Sequence, residues 1–325
     1  MRIHVVGAGS WGMALACLLA RNGHLVSLWC RSEAAYDQLR AERQRPQYLP
    51  GVILPEGVTP VRELSGDAAF VVFVTPSHAL RAVAASVVVP RDAVLVSATK
   101  GLEQGSLLRM SEVLESVLPG RPVVALSGPS HAEEVARGLP ASLVAAGSDV
   151  CACADTQDIF FAPSMRVYTS ADIVGVELGG AVKNVIAIAA GASDGLGLGD
   201  NAKAALITRG LAEMARLGAA LGAEPATFSG LSGLGDLIVT CGSRHSRNRA
   251  VGEALARGKR LEDHLAETGM VAEGVHAARA VLALAEKNGV DMPITRAVNA
   301  VLFEGVPPLE AVGALMARGA KGEQG

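Results

Sequence analysis

The sequence predicts two units of different class: an N-terminal α/β unit with a Rossmann-like doubly wound sheet, and a C-terminal all-α unit. Three observations carry this. The first half alternates short β-branched runs with helical stretches, the pattern of a parallel sheet covered on both faces. From about residue 171 the strand-like runs stop, and long Ala/Leu/Gly-rich helical stretches follow. The chain has 325 residues, too many for one ordinary core. The division falls at 1–172 and 173–325, with no low-complexity linker between them.

In the first unit, strands are expected at 2–7, 25–30, 69–74, 93–97, 123–127 and 142–146. Several are unbroken apolar runs, as strands buried on both faces require. Helices are expected near 11–22, 33–43, 77–87 and 106–117, and in the second unit near 173–191, 202–222, 247–257, 272–288 and 294–303. The polar tail 318–325 is expected to fray.

Composition narrows the function classes. Half the residues are hydrophobic but only 3% are aromatic, so the core is built from Ala, Val, Leu and Ile. A net charge of −3 with mixed signs argues against a sequence-independent nucleic-acid binder, which needs a basic face, but leaves room for a local basic pocket for an anionic metabolite. No apolar run reaches the roughly 18 uncharged residues of a membrane span; the stretch 178–191 carries Lys183 in its middle. Met1-Arg2-Ile3-His4-Val5-Val6 leads straight into a strand pattern, so a cytoplasmic location is expected. The five cysteines are scattered, and Cys151-Ala152-Cys153 has neither zinc nor thioredoxin-like spacing. They read as reduced thiols serving as small apolar residues. The histidines share no spacing with carboxylates or cysteines, so no metal is expected.

Gly7-Ala8-Gly9-Ser10-Trp11-Gly12 is a G-x-G-x-x-G between a strand and a helix, the context that gives the pattern meaning. Gly7 permits the tight turn, Gly9 lets backbone approach a pyrophosphate, and Gly12 lets helix and strand pack closely. The helix N-terminus then faces the phosphates with free N–H groups. The second strand ends at Cys30-Arg31 without the acid expected for a ribose; Glu33 lies two residues on. Arg31 stands where a 2′-phosphate would lie, which favours NADP or both dinucleotides, unless it is a solvated loop residue.

Four patches carry candidate chemistry. Lys100 follows an apolar strand, either at the crevice where ligands bind or simply at the surface. Gly128-Pro129-Ser130-His131-Ala132-Glu133 opens a helix. Ser130 and Glu133 fit a capping box, with or without a ligand at the same point. Lys183 sits in an almost wholly apolar helix, where a lysine needs a partner or a task unless it snorkels out. Gly179 and Gly180, on its face, each cost about 1 kcal/mol relative to Ala in a helix interior and leave room for a substrate there, unless they serve close helix packing. Asp236 is the one acid of a glycine-rich apolar stretch, and Ser246-Arg247-Asn248 opens a further helix. An arginine at a helix start suits a phosphate, or is only solvated.

Taken together, these segments resemble NAD(P)-dependent glycerol-3-phosphate dehydrogenases of the bacterial type. The resemblance rests on GAGSWGMALA at 7–16, YLPG at 48–51, TKGLE at 99–103, SGPSHAEEVA at 127–136, VELGGAVKNVIAIAAG at 176–191, NAKAALITRGLAEM at 201–214, LSGLGDLIVTC at 231–241 and SRN at 246–248. Met13 departs from the Thr frequent in the family, with no chemical consequence. The resemblance implies an NAD(P)H cofactor and interconversion of dihydroxyacetone phosphate and sn-glycerol 3-phosphate, feeding glycerophospholipid synthesis. It implies that Lys183 is catalytic, with Asp236 beside it. Lys100, Gly128, Ser130, Ser246, Arg247 and Asn248 would line the substrate crevice. Ser10, Trp11, Arg31, Lys100, Ala132, Arg247, Val271 and Glu273 would reach the cofactor. Two rival readings are a related β-hydroxyacid dehydrogenase, which has no use for Arg247, and a non-catalytic NAD(P) sensor. The apolar helical unit is compatible with a homodimer.

Overall fold

A computed structural model of the chain describes residues 1–269, 272–319 and 322. Val271 and most of the tail at 320–325 therefore lie outside the described residues. The strands are β1 (Arg2–Val6), β2 (Leu25–Trp29), β3 (Val58–Val61), β4 (Phe70–Phe73), β5 (Val94–Ser97), β6 (Val123–Ser127), β7 (Ala141–Ala146) and β8 (Met165–Ser170). The helices of the first half are α1 (Ser10–Arg21), α2 (Glu33–Glu42), α3 (Leu80–Ser86), α4 (Met110–Val117), α5 (Ala132–Ala136) and α6 (Val150–Phe160). The second half holds α7 (Ile173–Gly195), α8 (Gly199–Ala220), α9 (Pro225–Phe228), α10 (Asp236–Gly242), α11 (Arg247–Ala256), α12 (Leu261–Thr268), α13 (Glu273–Lys287), α14 (Pro293–Phe303) and α15 (Pro308–Met316). A five-residue π-helical turn, Leu231–Gly235, joins α9 to α10.

The strands form one sheet in the order β3-β2-β1-β4-β5-β6-β7-β8. The chain builds outward from β1 through β2 to β3, then crosses to β4 on the other side. That reversal opens a crevice at the C-terminal ends of β1 and β4, where ligands bind in such sheets. Two strands have no counterpart in the sequence reading. β3 is an edge strand carrying Pro60, and proline demotes a strand pattern. β8 is the opposite edge, half exposed, with charged and polar residues alternating with apolar ones.

The doubly wound sheet is not parallel throughout. β6 and β7 pair antiparallel, and β8 then runs parallel to β7. The five residues of α5 span about 7.5 Å as helix, against about 16 Å for a five-residue strand. They are too few to carry the chain back for a parallel return, so it reverses.

Apolar clusters cover both sheet faces, one built around Val5, Leu15 and Leu28 and the other around Val71, Phe73 and Leu95. The second half wraps around α7, whose Leu178, Val182, Val185 and Ile186 are buried. Asp172 caps α7, accepting from the Gly175 N–H at 2.8 Å. By length and composition α7 could cross a membrane, but 83% of its apolar window is buried inside this fold. Glu177 near its start accepts from Arg109 Nη1 at 2.7 Å and the Ser111 N–H at 2.8 Å. That buried ion pair fixes α7 against α4 and hence against the sheet. All five cysteines are free; four are buried, but Cys151 is exposed rather than packed as an apolar residue.

Candidate active site

The glycine-rich turn follows β1 as the motif requires. Gly7 has φ 125°, and a Cβ there would stand 2.5 Å from the Val74 carbonyl oxygen at the end of β4. A Cβ on Gly12 would overlap the Gly7 carbonyl, whereas around Gly9 no atom lies within 4 Å. Two glycines thus serve close packing, and the third keeps backbone open to a ligand. Gly9 is the N-cap of α1 and no side chain caps the helix, so its first N–H groups are free for an anion. The Trp11 indole N–H is buried without a partner. These features fit a dinucleotide pyrophosphate.

The turn opens into a cleft of about 630 Å³ between the sheet and the helical half. Gly7, Gly9, Ser10, Trp11, Gly12 and Arg31 line one end; Lys100, Ser130, Ala132 and Lys183 line the middle; Ser246, Arg247, Asn248 and Glu273 come from the helical side. Gly128 and Asp236 sit just behind this wall and touch it through Lys100. Arg31 is exposed at the end of β2, and Glu33 is the first residue of α2, capped by Ser32.

The centre of the cleft is a buried charge cluster. Lys183 Nζ donates to Asp236 Oδ1 and, at 2.9 Å, to Thr240 Oγ1. Lys100 Nζ donates to Asp236 Oδ2 at 2.6 Å and to the Gly128 carbonyl at 3.0 Å. Lys183 is 5% exposed and Asp236 1%. Burial disfavours the charged amine and outweighs the Asp236 carboxylate, with Lys100 adding repulsion, so the Lys183 pKa falls to about 7. Burial would raise Asp236, but the Lys100 and Lys183 ammoniums outweigh it and hold the carboxyl below its usual range.

Three local expectations are corrected. Ser130 does not cap α5: the N-cap is His131, and the Ser130 hydroxyl donates to the Gly128 carbonyl at 3.0 Å. The helix thus starts one residue later than a Ser130–Glu133 capping box requires. Gly179 and Gly180 do not leave an open space for a substrate. A Cβ on Gly179 would meet the Ser232 carbonyl, and one on Gly180 would meet Ser127 Oγ and the Lys100 stem. His131 and His245, unremarkable in sequence, both line the cleft with ring centroids 5.9 Å apart. Burial, and then the nearby Lys183, lower the His131 pKa.

The opening of α11 is as the residues suggest: the Ser246 hydroxyl accepts from the Arg249 N–H at 3.2 Å, with Arg247 and Asn248 in the first turn. Arg247 is exposed toward the cleft. Asn248 is buried and tied on both sides, donating to Asn184 Oδ1 at 2.9 Å and accepting from the Gly274 N–H at 2.8 Å. Glu273 accepts from Ser77 Oγ at 2.8 Å and from its N–H at 3.2 Å, joining α13 to the loop after β4.

Two family models cover the chain: the NAD-dependent glycerol-3-phosphate dehydrogenase N-terminus matches residues 2–153, and the C-terminus of the same family matches 172–313. Glycerol-3-phosphate dehydrogenase [NAD(P)+] of Chlorobium luteolum is 51% identical over 100% of both chains. The chain belongs to the NAD-dependent glycerol-3-phosphate dehydrogenase family. A relative of the same name from Desulfitobacterium hafniense is 49% identical over 99% of this chain and 93% of its own. The crystal structure of glycerol-3-phosphate dehydrogenase from Coxiella burnetii is 40% identical, with a TM-score of 0.94 over 98% of this chain and 99% of that one.

Within this family member's cleft, sequence reasoning does not single out Thr240, Asn184, Arg45 or Tyr48. Thr240 was findable, because four residues after Asp236 on a helix is the same face. Arg45 carries no local signal. It lies in the loop after α2 that folds over the glycine-rich turn, where it donates to the Ala8 carbonyl at 2.8 Å and stacks 4.2 Å over the Tyr48 ring.

Proposed function

We propose that this chain interconverts dihydroxyacetone phosphate and sn-glycerol 3-phosphate with NAD(P)H as the redox partner. The observation that carries the reading is a buried Lys183, held by Asp236 and Thr240, opening into the same cleft as the glycine-rich turn. Gly7, Gly9, Ser10, Trp11 and Gly12 would hold the pyrophosphate side of the cofactor, with Arg31, Ala132, Val271 and Glu273 as further contacts. When bound, the reduced nicotinamide supplies the hydride that reduces C2 of the ketone.

The residues of this chain handle charge and protons. Lys183, as ammonium, donates a hydrogen bond to the C2 oxygen, stabilises the charge that develops there and delivers the proton. As a neutral amine it accepts the proton back from the alcohol. A pKa near 7 populates both forms at neutral pH, which suits a reversible reaction. Asp236 remains a carboxylate and fixes the two lysines, and Thr240 holds the Lys183 amine from a second side. Lys100, at the crevice, adds positive charge beside the reacting oxygen. Arg247 grips the phosphate, so binding energy remote from C2 orients the carbonyl. Ser130, Ser246 and Asn248 shape the substrate wall, and Gly128 backs it by holding Lys100. On this reading residues 1–172 bind the cofactor and 173–325 supply the catalytic lysine and the phosphate grip. We place the enzyme in the cytoplasm, supplying glycerol 3-phosphate for glycerophospholipid synthesis.

The test is the reduced-nicotinamide absorbance on addition of dihydroxyacetone phosphate, with NADH and NADPH in parallel. Both are expected to be oxidised, NADPH with the higher kcat/KM because Arg31 meets the 2′-phosphate. Unphosphorylated dihydroxyacetone is expected to be a far poorer substrate. Oxidation of neither coenzyme by folded, coenzyme-bound protein would favour the sensor reading or a different hydroxyacid substrate instead.

A further inference from the structure

Asp236 must accept from two lysines that arrive from different parts of the fold: Lys100 after β5 and Lys183 in α7. The turn that delivers Asp236 is unusual. Leu231–Gly235 is π-helical, and α10 begins at Asp236 itself. Single π-helical turns often accompany functional sites, because the wider turn re-aims the residues that follow. The contact beneath this turn is Gly179, in the middle of α7 and four residues before Lys183. A Cβ on Gly179 would stand 2.5 Å from the Ser232 carbonyl oxygen and 3.0 Å from its carbon. Both are backbone atoms of the π-helical turn, so they cannot yield by a rotamer change. A glycine inside a helix weakens it, yet α7 keeps one at the point where the turn rests.

We propose that Gly179 is a positioning residue, whose missing side chain seats the π-helical turn that aims Asp236 between Lys100 and Lys183. The same helix thus carries the proton-transferring lysine and the seat of its carboxylate partner, one helical turn apart. The charged and titratable groups that act on Lys183 are Asp236 and Cys241 from α10, Lys100 from the loop after β5, and His131 at the start of α5. Of these, Asp236 is the one that moves with the turn by a single bond of chain.

The inference rests on Lys183 as the group that transfers the proton, and the experiment separates the two. Gly179→Ala is examined by crystallography and by the pH dependence of kcat/KM for sn-glycerol 3-phosphate oxidation. The added methyl lifts the turn, so the Asp236 carboxylate is expected beyond hydrogen-bond reach, more than about 3.5 Å, from at least one ammonium. With the carboxylate withdrawn, burial and Lys100 act on Lys183 less opposed. The acidic limb of the profile is then expected to move down by about one pH unit.

Gly210→Ala is the packing control. Its methyl would meet the Ile186 side chain 2.6 Å away on α7, lowering Tm without moving the limb. Should Gly179→Ala fail to fold, Leu231→Ala loosens the same turn from its other side, where Leu231 packs on the cluster of Val144 and Val176. It is expected to shift the limb the same way by less. An undisplaced Asp236 and an unmoved limb, with activity falling only as Tm falls, would overturn the proposal. A displaced Asp236 with an unmoved limb would support the seat and reject Lys183 as the titrating group.

Discussion

Lys183→Ala is expected to lower kcat by about 10³–10⁴-fold, from the combined loss of proton transfer and of charge stabilisation at the C2 oxygen. NADPH affinity, read by fluorescence titration, is expected to stay close to that of the unmodified protein. The separation follows from the geometry. Lys183 sits in the middle of the cleft, held by Asp236 and Thr240, while the glycine-rich turn and α1 build the cofactor end. Folding is expected to survive, because Asp236 keeps the Lys100 contact at 2.6 Å. Equal losses of turnover and coenzyme affinity would contradict the assignment.

Arg247→Ala is expected to reduce kcat/KM for dihydroxyacetone phosphate by about 10²–10³-fold, the cost of removing one partner of a close charge pair. Tm should hardly change, since Arg247 is exposed and has no ion-pair partner among the described residues. Much of the loss is expected in KM, with a further loss in kcat if the phosphate grip orients the carbonyl. The diagnostic comparison is with unphosphorylated dihydroxyacetone. The variant should lose most of the preference for the phosphorylated ketone, because the discriminating group has gone. A variant that kept the full preference would move the phosphate site away from α11.

Much of this site was legible because its chemistry is local in sequence. The G-x-G-x-x-G motif contains its own structural context, and each of its glycines has the distinct environment that the motif implies. Lys183 was visible as a charge inside an apolar helix, and the Ser246 cap as a hydroxyl before a basic turn. The illegible parts are those decided at long range. The pKa of Lys183 depends on Asp236, 53 residues away, and Lys100 meets the same carboxylate across 136 residues. Burial against attraction is a balance that no spacing reveals. Missing bulk at Gly179 is legible on the Lys183 face of the helix, but the choice between a substrate space and close packing is made by the π-helical turn that lies against it. In the sheet, the antiparallel β7 follows from the shortness of α5. The edge strands β3 and β8 escaped because edges tolerate proline and charge.

The most direct test of the central claim is the pH dependence of kcat/KM measured in both directions. Oxidation of sn-glycerol 3-phosphate needs neutral Lys183, so its kcat/KM should fall with unit slope as pH drops below about 7. Reduction of dihydroxyacetone phosphate needs the ammonium, so its kcat/KM should fall as pH rises above the same value. The second ionisation of a phosphate monoester, near pH 6, lies about a unit lower and would not produce the alkaline fall. Opposed limbs meeting near pH 7 are the predicted result. Limbs that share a direction, or a reduction rate level up to pH 9, would contradict Lys183 as the proton-transferring group.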